Sequence, residues 1–217
     1  MSESVDFHRA RRPEQITVRR EAILAAAAAL FGQEGPEGTS LNAIAARAGF
    51  TKSNVYRYFE SREAVLLSLF LEDFADLAGE LERTLPDGPA GDPVAAAHAV
   101  AAAFLARPRL CQLLGMLASV LERNVSEAAV VMLKTTMLMT AGRISAAMAR
   151  ALPQFSLEDC SWVTGVIGIF VSGLWPAANP SPLVAGVLAR PEFEAMKLTA
   201  ARDLERTILV LLRGLAH

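Results

Sequence analysis

The chain has 217 residues, 53% of them apolar, with 21 Lys/Arg against 23 Asp/Glu and a formal net charge of −2. That is enough chain and enough apolar side chain for a packed core in one large or two small domains, which excludes a disordered or fibrous protein. The near-neutral total excludes attraction to nucleic acid or membrane by bulk charge alone, although the ends differ: through Arg62 there are nine Lys/Arg against seven Asp/Glu, and beyond it twelve against sixteen.

The N-terminal MSESVDFHRARRPEQ is polar and holds no apolar leader, so a cytoplasmic protein is expected. Its HRARR, residues 8–12, reads as a basic arm able to follow a nucleic-acid backbone or enter a minor groove. Proline suits a first helical turn, so a first helix is expected from Pro13 to Phe31, with Ile16, Ile23, Leu24, Ala27, Leu30 and Phe31 as its inward stripe. GQEGPEG should end it. Ser40 can cap a short second helix, Leu41 to Ala48, with Leu41, Ile44, Ala45 and Ala48 on one face, and Gly49 stands where a helix stop needs positive φ. Thr51 caps a third short helix to about Tyr58. Ser61 caps a long fourth one in which Leu66, Phe70, Phe74, Leu77 and Leu81 step by three and four.

LPDGPAGDP is the clearest break in the chain. Beyond it five helices are expected, over 93–106, 109–123, 127–151, 157–175 and 193–215, giving an all-α protein of about nine helices. The two cysteines, Cys111 and Cys160, lie inside apolar helical patterns without CxxC or histidine at ligand spacing, and read as buried thiols rather than a disulfide or metal site. From Cys160 to Ala189 no residue is charged. The apolar run CSWVTGVIGIFVSGLW reaches only 16 residues before Pro176, short of a bilayer span of roughly 20, so it reads as a helix buried in protein, with no membrane partner. Its Gly165, Gly168, Ser172 and Gly173 admit close approach of another helix.

Two short helices joined at a glycine match a helix-turn-helix, whose second helix enters the major groove. A recognition helix cannot bury its outer face in its own core, so that face must carry donors for bases and phosphates. In TKSNVYRY, Val55 and, just beyond, Phe59 point inward, leaving Thr51, Lys52, Ser53, Asn54, Arg57 and Tyr58 outside or at the flank. Lys52 can donate to guanine and Asn54 can pair with adenine. Tyr56, Tyr58 and Arg62 suit phosphates, and Ser40 and Asn42 stand at a helix start that can hold a phosphate oxygen.

The run from Arg20 to Leu66, with IL-x-AA-x-x-LF, a Gly-rich turn, TS-x-x-x-IA-x-x-AG-x-x-x-x-x-x-Y-x-YF-x-x-R-x-x-x-L, resembles the DNA-binding domain of the TetR family of bacterial transcriptional regulators. The resemblance implies a DNA-reading domain over residues 1–62, with a flexible basic arm over 1–13, and an effector-binding and dimerisation domain over 63–217. It implies a homodimer closed by the last two helices, double-stranded operator DNA as partner, and a small-molecule effector. By position it carries DNA contact to Ser40 and Asn42, base reading to Lys52, Ser53 and Asn54, and phosphate contact to Tyr56, Tyr58 and Arg62. For the effector, low charge on the 109–123 and 157–175 helices points to an apolar molecule, with Phe104, Cys111, Met116, Met137, Phe155, Trp162 and Phe170 as candidate lining. His98 reads as a satisfied polar group. The apolar 157–175 helix and the face Leu204, Ile208, Leu211, Leu212 and Leu215 of the last helix call for cover by a second copy. No HExxH, GxSxG or Walker loop is present, and neither catalysis, a metal nor a cofactor is expected. The competing reading is a helical small-molecule carrier without sequence-specific DNA binding, which would have no need of the polar face over 51–62.

Overall fold

A computed structural model of the chain describes residues 13–85 and 91–215. The arm at residues 8–12 and the middle of the LPDGPAGDP break therefore lie outside the described residues. The chain divides into two compact units, Met1–Val65 and Leu66–His217. Among the described residues the regular structure is helical throughout: α1 (Pro13–Gly38), α2 (Leu41–Arg47), α3 (Lys52–Val55), α4 (Arg62–Thr84), α5 (Pro93–Leu105), α6 (Pro108–Met116), α7 (Glu127–Ala151), α8 (Leu157–Ala178), α9 (Pro182–Leu188) and α10 (Ala200–Leu215), with 3-10 turns at Leu121–Arg123 and Pro191–Met196.

In the first unit α1 packs on α2 and α2 on α3. Ile23, Leu24, Ala27, Leu30 and Phe31 of α1 meet Leu41, Ile44, Ala45, Val55 and Phe59 in the buried set, whereas Ile16 is 42% exposed and outside the core. α1 also runs past the expected end at Phe31. It breaks at Gly35, where φ is +71°, and the remaining turn carries Pro36. Thr39, fully buried, donates its hydroxyl to the Gly35 carbonyl at 2.7 Å and so closes that kink.

The second unit is organised around α4, whose Leu66, Phe70, Leu77 and Leu81 are fully buried. Acidic residues on two sides of this helix are fastened by arginines. Arg109 forks onto Asp73 at 2.6 and 2.7 Å, Arg143 forks onto Glu82 at 2.6 and 2.8 Å, and Arg107 donates to Glu80. Around it α6 and α7 pack on α8, and α10 packs on α5 and α8. Three of the helices, α5, α7 and α8, start at side-chain caps: Asp92 accepts from Val94, Ser126 from Ala129, and Ser156 with Asp159 forms a reciprocal capping box.

Four differences from the sequence reading have local causes. Pro176 does not stop α8, which runs 22 residues to Ala178. Pro176 removes the donor for the Ser172 carbonyl, and Gly115 of α6 sits against that carbonyl, a Cβ placed there lying 3.1 Å from its oxygen. The small residues of α8 are open instead, since a Cβ at Gly165, Gly168 or Gly173 meets nothing within 4 Å. Ser181 and Pro182 start α9 rather than ending structure, Ser181 Oγ accepting from Val184 at 3.5 Å. The final helix begins only at Ala200, and of the expected face Leu204, Ile208 and Leu212 are buried within the subunit while Leu211 and Leu215 are half-buried.

Candidate functional site

α2 and α3 form two short helices meeting at a tight turn. Ser40 caps α2, its hydroxyl accepting from Ala43 at 3.2 Å. At the other end Gly49 takes φ +71° while Phe50 N–H returns to the Ala45 carbonyl at 2.9 Å. Thr51 then caps α3 by accepting from Asn54 at 3.3 Å. α3 is regular only over Lys52–Val55, but backbone bonds continue the winding through Tyr58 to Val55 (2.9 Å) and Phe59 to Val55 (3.1 Å). That winding sorts the side chains: Val55 and Phe59 are buried, while Thr51, Lys52, Ser53, Tyr56 and Arg57 are exposed and Asn54 and Tyr58 are half-buried. Asn42 is exposed beside the Ser40 cap.

The exposed face therefore joins a helix start with an unobstructed hydroxyl edge to a row of donors. Lys52 Nζ lies 5.9 Å from the centroid of the Tyr56 ring, so the ammonium and the 51%-exposed phenol present together. From behind, the Arg20 guanidinium lies 4.9 Å from the Phe59 centroid and supports the anchored side of the turn.

Arg62 has partners within the chain. Its Nε donates to the Thr39 carbonyl at 2.7 Å, its Nη2 donates to the Pro36 carbonyl, and Nη1 lies 3.5 Å from Glu63. Only 25% of the side chain is exposed. The guanidinium thus ties the first turn of α4 to the kink that leads into α2, immediately before the Ser40 cap. The buried Thr39 and the carbonyl bonds of Arg62 are features of this region that the sequence does not announce.

The second unit holds a cavity of about 380 Å³, within the roughly 300–1,000 Å³ range of small-molecule sites. Phe70 and Phe74 of α4, stacked at 5.7 Å, form one wall, with Phe104, Leu110 and Leu114 beside them, and Met137, Ala141 and Ile144 of α7 opposite α8. Of the expected lining, Phe104 and Met137 are there. Cys111, Met116, Phe155, Trp162 and Phe170 are not. Cys111 is buried with its thiol donating to the Phe104 carbonyl, and burial pushes that thiol up to about 12. Phe155 is buried beyond α7, Met116 and Phe170 are half-buried elsewhere, and Trp162 is 54% exposed on the outer side of α8. His98 meets Glu205 at 3.2 Å, linking α5 to α10.

A polar-faced second helix, anchored by Val55 and Phe59 and set on a glycine turn, defines a helix-turn-helix DNA-binding protein. A model described as "Bacterial regulatory proteins, tetR family" matches residues 23–69, and one described as "Tetracyclin repressor-like, C-terminal domain" matches residues 71–217. The chain belongs to the TetR family of transcriptional regulators. The HTH-type transcriptional regulator RutR of Escherichia coli strain K12 is 37% identical over 31% of this chain and 39% of that protein; Rv1816 of Mycobacterium tuberculosis H37Rv is 40% identical over 30% of each. The chain thus matches two fifths or less of the length of these curated relatives. Among solved structures, a transcriptional regulator from Rhodococcus sp. Rha1 superposes with TM-score 0.59 at 20% identity, over 91% of this chain and 98% of that one. A TetR-family regulator from Streptomyces coelicolor gives 0.58 at 18%, over 91% and 99%. These two establish the shared all-helical fold.

Proposed function

We propose that the protein is a ligand-responsive repressor of the bacterial cytoplasm that binds an inverted-repeat operator as a homodimer and is released by a small, largely apolar effector. The observation that carries the DNA half of this reading is the exposed Lys52, Ser53, Tyr56 and Arg57 on the one short helix whose opposite side is locked by Val55 and Phe59. Lys52, Ser53 and Asn54 are assigned to base edges; Ser40, Asn42, Thr51, Arg57, Tyr56 and Tyr58 are assigned to the sugar-phosphate backbone. Arg62 holds their platform.

Support for the dimer comes from α8. By length and composition alone this helix is apolar enough to cross a membrane, yet Cys160, Val163, Ile167, Val171 and Leu174 are buried inside the subunit. Its other side leaves Trp162 54% and Ile169 75% exposed, beside the open Gly165 and Gly173. A second copy packing α8 against α8 about a two-fold axis removes that surface from water and sets two recognition helices for successive major grooves. Light scattering should give twice the chain mass, and Ile169→Asp should give the monomer.

The cavity supports the effector half. α4 supplies Phe70 and Phe74 to its wall and begins at Arg62, so it is the element through which occupancy would bias the DNA-reading helices. Linkage then requires operator DNA to weaken effector binding by the same factor by which effector weakens operator binding. Selection of bound sequences from random duplex DNA, at two salt concentrations, tests the whole reading. An enriched inverted repeat whose affinity falls steeply with salt is the expected result; no enrichment at either salt would favour a carrier.

A further inference from the structure

The effector's chemistry can be drawn from which polar groups the cavity leaves free. Inside, Thr164 donates its hydroxyl to the Cys160 carbonyl at 2.8 Å, and Ser172 donates to the Ile169 carbonyl at 2.7 Å. Every other interior group among the lining residues is apolar or glycine, and no buried side-chain polar atom among the described residues lacks a partner. The interior therefore has no free donor, and a charged or strongly accepting group placed there would lose its hydration without replacement.

Two charged residues line the cavity, Glu122 and Lys134, and they are paired at 2.5 Å. Lys134 stands on α7 one turn before Met137 and Leu138, continuous with the face that lines the cavity, and Glu122 lies on the 3-10 turn that follows α6. The two are unequal. Glu122 is 20% exposed and Lys134 is 54% exposed. An ammonium has three donors, of which Glu122 takes one, so the outward side of Lys134 can donate to a second carboxylate without leaving its partner. The Glu122 carboxylate also keeps acceptor sites for a cation, but at 20% exposure it is much the more covered of the pair, so the accessible side of the rim is the ammonium.

We propose that the effector is an anionic amphipath, a single carboxylate on a compact or unbranched apolar body, whose body fills the space between Phe70, Phe74, Phe104 and Ile144 and whose head is held at the rim by Lys134. This inference rests on the reading of the cavity as the effector site.

Calorimetric titration of the full-length protein at pH 8 with hexanoate, octanoate, decanoate, 1-decanol and decylamine tests it. Each added methylene should strengthen carboxylate binding by about fourfold until the cavity is full, the equivalent of about 0.8 kcal/mol of apolar transfer. Decanoate should bind about fivefold more tightly than 1-decanol, the upper range for an exposed ion pair, and decylamine should be weakest. Lys134→Met should bring the decanoate-to-decanol ratio to near one. Glu122→Gln, which frees the ammonium, should raise it, so the head assignment stays testable should the first variant fold poorly. A native ratio near one, a ratio untouched by either substitution, or preference for decylamine overturns the anionic head while leaving the cavity reading in place. Absence of binding by every probe overturns both.

Discussion

Arg62 offers the most direct check on the geometry, because a clamp and a phosphate contact predict different measurements. Substitution Arg62→Ala removes charged-donor hydrogen bonds to the Thr39 and Pro36 carbonyls from a side chain only 25% exposed. Hydrogen bonds involving a charged group contribute about 1.5–3 kcal/mol each; partial water access to the freed carbonyls reduces the sum to about 2–4 kcal/mol. Urea unfolding followed by circular dichroism should show that loss, with Arg62→Lys intermediate because an ammonium cannot reach both carbonyls with a planar fork. Operator affinity should also fall, since the clamp sits immediately before the Ser40 cap. Its dependence on salt should stay the same. A true phosphate contact contributes about 0.9 to the slope of log affinity against log salt, about 1.8 for two subunits on one operator. A slope reduced by that amount with an unchanged urea midpoint would show that the guanidinium leaves the carbonyls for phosphate, and would refute the clamp.

Other consequences concern the second unit. Gly142→Ala, in the exposed middle of α7 where a Cβ meets nothing within 4 Å, should stabilise by about 0.5–1 kcal/mol, whereas Gly115→Ala, whose Cβ would lie 3.1 Å from the Ser172 carbonyl oxygen, should gain nothing or destabilise. Equal gains in urea midpoint would deny the close approach of α6 to α8. The Ser156 hydroxyl and backbone N–H hold the Asp159 carboxyl below its ordinary 3.8, and the Arg143 hydrogen bond holds Glu82 below 4.5. Both pKa values are depressed on folding, so their contribution is full above the ordinary values and is lost as pH falls through the lower folded ones. The urea midpoint should be flat from pH 8 to about 5 and fall below about 4, less steeply in Asp159→Asn. Finally, burial raises the thiols of Cys111, to about 12, and of Cys160, so neither should react with an alkylating reagent at pH 8 before unfolding. A rapid equivalent of modification would contradict the packing around them.

The sequence made the DNA-reading unit legible because each of its devices is local. A cap lies three residues from its donor, as Ser40 from the Ala43 N–H and Thr51 from the Asn54 N–H, and Gly49 marks a positive φ by its own lack of a side chain. What the sequence hid is what depends on distance in the chain. Arg62 sits 23 residues from the carbonyl it binds, and nothing beside it in the chain announces the Thr39 carbonyl that folding brings to its guanidinium. The cavity shows the same limit more sharply. Helical periodicity correctly sets Phe104 and Cys111 inward, yet one fronts the void and the other is packed behind it, a distinction made by how helices cross and not by their repeat. Lys134 was hidden for the opposite reason, since a lone charge on an amphipathic helix reads as solvated surface. The cavity and its rim are in this way the least visible in one dimension: a void consists of side chains that fail to meet, and its polar rim consists of residues whose partner lies on another element. Glycine, proline and the caps tell where the helices turn; only their assembly tells what the turns enclose.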